Sequence, residues 1–306
     1  MLIGLRSSRR LSRVRAALAL SCVVLFVPAA TAAPTTGGDA FAFVQWGPGS
    51  APDDRRVSAV FVRAPRTGRV TNVSGWTSAH HPVWSRDGSR LAYVRDFRAV
   101  VVADARGRGG KVAFRCTASC GLVGWLDARR LLLEQSKSLV EVTLSGKVVR
   151  STPYDGSDPD VSADGRRIVF RRWSGATTAT TVVAEVASVA AARPVTRSTG
   201  VIETARWSPD GRRLVLTRSF ERPRTRLDGL WIVGADGTGL RRIVSSRAIT
   251  GAAWSADSTS ITYTVAGAMF TRHIRSGRTS RLRIADARGN RFRLESPLEL
   301  VSQGRR

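Results

Sequence analysis

The chain has 306 residues and a formal net charge of +26, and it is 42% hydrophobic with 28 glycines and 12 prolines. This length supports a sizeable core, and the apolar content argues against a disordered chain. The positive charge is almost entirely arginine, dispersed along predicted turns and strands. Such dispersal predicts a solvated basic surface and argues against a nucleic-acid site.

The first 32 residues are predicted to be a signal peptide. Five arginines precede an apolar stretch at 16–30, and the small residues at 30–32 suit a signal peptidase. The alternative is an uncleaved anchor, but about 15 apolar residues are fewer than the roughly 20 that span a bilayer. Both interpretations predict export to the periplasm, the cell wall or the medium. The expected organisation is a leader at 1–32 and one domain at 33–306, with no stable membrane span after cleavage.

One motif recurs five times in the remaining chain. Its copies are HHPVWSRDGSRLAYVRD from position 80, GLVGWLDARRLLLEQS from 121, SDPDVSADGRRIVFRRW from 157, ETARWSPDGRRLVLTRS from 203 and TGAAWSADSTSITYTVA from 250. The aromatic position is occupied in turn by Trp84, Trp125, Val161, Trp207 and Trp254. Intervals of 36 to 47 residues match one four-stranded propeller blade for each copy.

Each copy predicts a hairpin whose first strand ends at the aromatic position. The turn at 208–211 has proline to preset φ, aspartate to bond the turn backbone and glycine for positive φ. A β-branched strand follows the turn. The repeated tryptophan is predicted to fill the wedge between adjacent sheets, which is a structural role.

The ring is predicted to close through the C-terminal segment. The first apolar strand, at 39–46, aligns with the strand after the turn, so the first blade lacks its own leading strand. One interval beyond Trp254 falls near residue 297, in RFRLESPLEL. Because an open ring would leave bare sheet edges, we expect this segment to supply the missing strand. The predicted fold is an all-β, six-bladed propeller closed in this way.

The motif WSPDGRRLVL and its copies resemble the repeats of TolB-type propellers, also called WD40-like or PD40 repeats. The resemblance covers about residues 38 to 300. It implies the propeller fold more strongly than any activity, because such repeats occur both in periplasmic binding proteins and beside serine peptidase domains. TolB itself carries an additional N-terminal domain, whose role is not expected here. The chain also has no G-x-S-x-G motif of the kind that those peptidases use.

Cys116 and Cys120, in CTASC, are predicted to form a disulfide in an oxidising compartment. A zinc site is not expected, because two thiols without a nearby histidine or second cysteine pair cannot complete a tetrahedral shell. No cofactor is expected either. The adjacent His80 and His81 are predicted to point to opposite faces of a strand, which makes a shared metal difficult.

The candidate site is one mouth of the central channel. Residues three or four positions before the aromatic should lie around it: His80, His81, Asp158, Glu203 and Thr250. Asp158 and Asp160 are expected to share a strand face. With Asp158 and Glu203 in the ring, the mouth is predicted to be acidic and to receive a cationic or polar peptide segment. Loops and strand ends on a rigid scaffold often carry binding residues.

The sequence favours an exported, non-catalytic monomer that binds a protein or peptide in the cell envelope. Two alternatives remain open. One is an enzyme that acts on a carbohydrate or lactone at the channel mouth, which would need converging carboxylates or a divalent metal. The other is a binder of an anionic wall polymer, which would need a continuous arginine surface.

Overall fold

A computed structural model of the chain describes residues 40–46, 58–174, 178–199, 201–220, 228–246, 248–292, 294 and 300–302. The predicted leader at 1–32 lies outside these residues. Every regular element in the described ranges is a β-strand. No helix capable of crossing a bilayer occurs in this part of the chain.

The strands form six antiparallel four-stranded sheets. The first blade contains, from the inner strand outward, β24 (Leu300–Ser302), β1 (Phe41–Trp46), β2 (Ser58–Arg63) and β3 (Val70–Asn72). The next two blades are β4 (Ala79–Trp84), β5 (Arg90–Arg95), β6 (Ala99–Asp104) and β7 (Lys111–Arg115), followed by β8 (Cys120–Trp125), β9 (Arg130–Gln135), β10 (Ser138–Thr143) and β11 (Val148–Pro153).

The last three blades have the same strand order. The fourth contains β12 (Gly156–Val161), β13 (Arg167–Trp173), β14 (Thr178–Glu185) and β15 (Ser188–Thr199). The fifth contains β16 (Val201–Trp207), β17 (Arg213–Phe220), β18 (Gly229–Gly234) and β19 (Arg241–Ser245). The sixth contains β20 (Ile249–Trp254), β21 (Ser260–Val265), β22 (Ala268–His273) and β23 (Thr279–Arg281). We call the side on which the inner strands begin the start face, and the side with the first hairpin turns the turn face.

The predicted closure of the ring is confirmed. β24 pairs antiparallel with β1 and places Leu300 opposite Phe43. A second contact lies at the outer edge of the first blade, where the amide of Val70 donates to the carbonyl of Ala285 at 2.8 Å. The C-terminal segment therefore contacts the first blade at both its inner and its outer strand.

The Ser-x-Asp-Gly turns have the predicted geometry. Four serines begin them: Ser85, Ser162, Ser208 and Ser255. Each hydroxyl donates to the carboxylate two residues later at 2.5 to 2.6 Å, and accepts from the amide five residues later at 2.9 Å. The last turn has Ser258 in place of glycine, and Ser258 adopts the same positive φ, 59°. The motif therefore supplies the hydrogen bonds within its turn from its own residues.

The repeated tryptophans lie buried between blades, as predicted. Their exposed fractions are at most 5%: Trp84, Trp125, Trp207 and Trp254. The indole N–H of Trp125 donates to the carbonyl of Val83 at 3.2 Å, and that of Trp254 donates to the carbonyl of Arg206 at 3.3 Å. Each of these two indoles thus hydrogen-bonds the preceding blade, in addition to filling the wedge.

One arginine in each of three blades joins that blade to the next. These arginines begin the second strand of their blade: Arg90, Arg167 and Arg213. Each guanidinium carbon lies 4.5 to 4.9 Å from the ring centroid of the next tryptophan. Each also donates to a turn carbonyl of the next blade at 2.6 to 2.7 Å. Part of the arginine excess therefore stabilises contacts between blades.

Replacing Arg167 with alanine should lower the free energy of unfolding by about 2 kcal/mol. The variant loses a cation–π contact and a charge-assisted hydrogen bond to Gly211. Thermal melting should shift down by about 4–8 °C. The matched control is Arg166→Ala, one residue earlier on an exposed position, which should melt within about 1 °C of the wild type. Equal melting of the two variants would show that the arginine contact adds no stability.

Cys116 and Cys120 are joined by a disulfide across the connection between β7 and β8, on the start face. The amide of Cys116 donates to the carbonyl of Arg98, and the amide of Cys120 donates to that of Phe97, each at 2.8 Å. The disulfide-bonded loop is therefore held against the turn between β5 and β6.

Candidate functional site

The inner strands β4 and β12 carry a β-bulge close to the start face. Their pairing shifts between His80 and Val83, and between Ser157 and Asp160. His81 and Asp158 adopt positive φ, 52° and 54°, a conformation that costs a non-glycine residue roughly 1 kcal/mol. Strict alternation of side chains does not hold in a bulge. We predicted from regular alternation that His80 and His81 point to opposite faces and that Asp158 and Asp160 share a face. Because both pairs lie in a bulge, alternation no longer supports either prediction.

His80 is a buried component of the blade interface. One of its ring nitrogens, Nε2, lies 3.0 Å from the hydroxyl of Ser58 in the first blade. Its ring stacks on Phe97 with centroids 4.5 Å apart. Burial lowers the pKa of His80 to about 4, so the imidazole is neutral at pH 7. His80 therefore lies buried against the first blade, where its ring supports Phe97.

His81 lies between the second and third blades. A Cβ built on Gly121 would be 3.6 Å from its ring, an ordinary van der Waals distance, so the imidazole packs directly against the start of β8. Burial, together with the nearby His80 and Arg206, lowers the pKa of His81 to about 3. The ring of His81 is therefore also neutral at pH 7.

Asp158 forms a buried ion pair with Arg171 of the adjacent strand β13. Both side chains are about 7% exposed or less. The guanidinium of Arg171 also donates to the hydroxyl of Ser157 at 3.2 Å and lies 4.7 Å from the ring centroid of Trp173. The indole N–H of Trp173 donates to the same hydroxyl at 3.3 Å. Asp158 thus anchors a cluster that ends in an exposed tryptophan.

Asp160 connects the fourth blade to the fifth. It is fully buried, and its Oδ2 accepts from the backbone amide of Trp207 at 2.8 Å. Burial raises the pKa of Asp160 well above its usual range, and the opposing effects of Arg206 and this amide are smaller. Arg206 is itself only 2% exposed. The carboxyl group of Asp160 and the guanidinium of Arg206 therefore lie close together, where the inner strands β12 and β16 contact each other.

Glu134 and Tyr154 extend this polar cluster toward the third blade. Burial, together with the charge of Asp158, raises the pKa of Glu134 to about 7. Burial also raises the pKa of Tyr154, and Glu134 and Asp158 raise it further. The hydroxyl of Tyr154 is buried without a hydrogen-bond partner among the described residues. A carboxyl group with a pKa of about 7 therefore lies opposite Gly121, close to the start face.

The predicted mouth residues are not all brought together. Thr250 bonds the hydroxyl of Thr264 in its own sheet at 2.8 Å, and no described hydrogen bond or ion pair links it to the polar cluster. Glu203 pairs with Arg218 in the register of β16 and β17, but its side chain lies outside those that the structure describes. The predicted acidic character is also wrong for Asp158, because Arg171 neutralises it. In the described ranges, no group of histidine, cysteine, aspartate and glutamate side chains could hold a metal ion.

Exposed aromatic residues concentrate on the start face. Among the described residues, three large aromatic side chains are exposed, each at 43%: Trp76, Phe97 and Trp173. Trp76 precedes β4, Phe97 lies in the turn between β5 and β6, and Trp173 ends β13. All three positions belong to the start face. None of the three occupies the aromatic position of the repeated motif, so the periodicity of the sequence did not indicate them.

The propeller is similar to solved structures. A putative TolB from Agrobacterium tumefaciens superposes with a TM-score of 0.54 and 14% identity over 86% of this chain and 98% of that one. The chain has a TolB-type propeller fold. At this identity the likeness shows the fold alone.

Two further structures match more distantly. TolB from Acinetobacter baumannii matches with a TM-score of 0.43 and 16% identity over 81% of this chain, which spans only 53% of that protein. An oligogalacturonate lyase from Vibrio parahaemolyticus matches with a TM-score of 0.49 and 14% identity over 81% of this chain and 74% of that one. No protein-family model matches the sequence, and no curated protein matches it.

Proposed function

We propose that this TolB-type propeller is an exported, non-catalytic protein that binds a protein or peptide partner of the cell envelope through its start face. The observation that carries the proposal is the set of exposed aromatic side chains on that face: Trp76, Phe97 and Trp173. Exposed aromatic residues are enriched at the energetic centres of protein interfaces. The bound segment is expected to be apolar or aromatic rather than cationic, because Arg171 already pairs with Asp158.

The three aromatic rings are held in place before any partner binds. Trp76 packs edge-on against the buried Phe61 with centroids 5.7 Å apart. Phe97 stacks on His80, and Trp173 is fixed by Arg171 and Ser157. Because rigid side chains lose little conformational entropy on binding, this arrangement favours affinity.

Export is supported by the sequence of residues 1–32 and by the disulfide. A basic segment, an apolar stretch and small residues precede the propeller. A bond between Cys116 and Cys120 fits an oxidising compartment. The functional protein is therefore proposed to begin near residue 33.

Replacing Trp173 or Trp76 with alanine should weaken partner binding at least tenfold, because a central interface tryptophan often contributes 2 kcal/mol or more. The partner is first identified by cross-linking and capture from envelope extracts with the wild-type chain from residue 33. Affinities of the purified pair are then measured by calorimetry.

Asp158→Ala is a poor test of the binding surface, since it would break a buried ion pair and lower the stability of the protein.

The matched control is Val148→Ala, which truncates an apolar residue that is 47% exposed on the outer strand β11. This variant should bind like the wild type, and all variants should melt within a few degrees of it. If both tryptophan variants kept full affinity, the start face would not be the binding surface. Loss of binding only in Arg278→Ala with Arg281→Ala, with a steep salt dependence, would favour the anionic polymer instead.

An enzyme acting on a carbohydrate or lactone is the second candidate, and one observation favours it. Glu134, with a pKa of about 7, is suited to general acid or base catalysis, and Tyr154 and Asp158 lie close to it. Turnover of such a substrate by the wild type, abolished by Glu134→Gln but kept in Trp76→Ala, would establish this function. It would also contradict the non-catalytic proposal.

A further inference from the structure

The repeat departs from its pattern twice at the contact between the third and fourth blades. Val161 occupies the position at which four other blades have tryptophan. The preceding turn is also shorter, because Arg130 follows Trp125 by five residues whereas Arg90 follows Trp84 by six. Both departures remove bulk from the turn face.

A cavity of about 470 Å³ lies on the turn face of the second, third and fourth blades and includes this contact. Its apolar wall is formed by six residues: Trp84, Trp125, Leu126, Ala128, Val161 and Ala163. Asp87 and Asp164 lie at the polar part of the lining. The volume falls in the range of pockets that bind ligands, roughly 300–1,000 Å³.

The arginine that joins neighbouring blades elsewhere is turned away here. Arg130 begins β9, as Arg90 begins β5. It donates to Asp127 at 2.7 Å and to Glu141 at 3.1 Å, both within its own blade. The space that an indole and a guanidinium share at three other contacts is therefore not filled in this way.

We propose that this turn-face cavity binds an aromatic side chain, of the size of tryptophan, that is carried by a polypeptide partner. The other contacts between blades show what such a position accepts, namely an indole borne on a peptide backbone. At two of them the indole N–H bonds the carbonyl just before the preceding tryptophan, which is Val83 or Arg206. The equivalent residue here is Gly124. The site lies on the face opposite to the exposed aromatic residues and is independent of the function proposed for them.

The probe is N-acetyltryptophanamide, which places an indole between two peptide groups. Saturable binding to the wild-type chain from residue 33, measured by calorimetry and ligand-observed NMR, is the expected result. N-acetylleucinamide should bind at least tenfold more weakly, because it cannot fill the wedge. Free indole at matched concentration should also bind more weakly, because it lacks the peptide groups.

Val161→Trp should fill the cavity with the chain's own indole. It is expected to weaken probe binding at least tenfold and to melt no lower than the wild type. The matched control is Val148→Trp, the same replacement at an exposed position on β11, which should leave probe binding unchanged. If Val161→Trp failed to fold, Ala163→Trp in the adjacent turn would block the cavity from its rim, since Ala163 lies in the lining.

Absence of saturable probe binding to the folded wild type would overturn the proposal. The same holds if neither Val161→Trp nor Ala163→Trp reduced that binding. Binding of free indole that equals or exceeds that of the peptide-like probe would make the ligand a small aromatic molecule and would overturn the polypeptide source.

Discussion

Asp160→Ala is expected to lower the free energy of unfolding by about 3–5 kcal/mol, the usual cost of removing one member of a buried polar pair. The variant removes the acceptor for the backbone amide of Trp207 and one of two carboxyl groups near the buried Arg206, of which Asp158 remains. Both losses fall at the contact between the fourth and fifth blades. Melting should move down by about 10 °C or more, and urea titration should show a lower midpoint with the same slope.

Two further variants separate the hydrogen bond from the charge. Asp160→Asn keeps an acceptor oxygen for the amide of Trp207 and should lose less stability than Asp160→Ala. A double variant with Arg206→Met removes both polar partners, so its loss should be smaller than the sum of the single losses. Strict additivity of the two single losses, or an unchanged melting temperature for Asp160→Ala, would contradict an energetic link between these residues.

The architecture could be predicted because its signals are local and repeated. Ser-Pro-Asp-Gly at 208–211 forms the same hydrogen-bonded turn as Ser-Arg-Asp-Gly at 85–88. Trp207 and Trp254 both occupy the aromatic position of the motif, and both are buried. Even the closure followed from counting, because the first blade lacks one strand and the intervals between copies point to the segment around residue 297.

The candidate site was less predictable because its geometry depends on partners that are distant in sequence. Periodicity cannot show a bulge, so the conformations of His81 and Asp158 were missed. Arg171 reaches Asp158 from the opposite strand of a hairpin, and no spacing rule in the motif indicates that pairing. The acid was visible in the sequence, but its neutralising partner was not.

Two signals in the repeat could have revealed more. The residue just before the aromatic position is Asp160 in the fourth blade and Arg206 in the fifth, whereas the other copies have small or apolar residues there. Opposite charges at equivalent positions of adjacent inner strands indicate a contact between blades. Arginine also follows the tryptophan by six residues in Arg90 and Arg213. That fixed interval distinguishes a structural arginine from one that is merely dispersed on the surface.

Ending the chain at Arg288 is expected to abolish cooperative folding or to reduce the stability by more than about 5 kcal/mol. The truncation removes β24, whose pairing protects the inner edge of the first blade. It also removes Phe292, whose ring lies 5.4 Å from that of Phe61, and the buried Leu294. Two such side chains contribute roughly 1.5–3 kcal/mol each, and each strand hydrogen bond adds about 1 kcal/mol. This sum approaches the total stability of a typical domain, about 5–15 kcal/mol.

The control is a chain that ends at residue 302, which keeps β24 and should melt like the full-length protein. The contact between Ala285 and Val70 survives in both chains, so the comparison measures what residues 289–302 contribute, namely β24 together with Phe292 and Leu294. Calorimetry and hydrogen exchange of β1 amides report the result, and a peptide of residues 289–302 added in excess should restore protection of those amides. If the chain ending at Arg288 melted within a few degrees of the control, the ring would be stable without β24. Closure by the C-terminal segment would then contribute to the shape of the propeller but not to its stability.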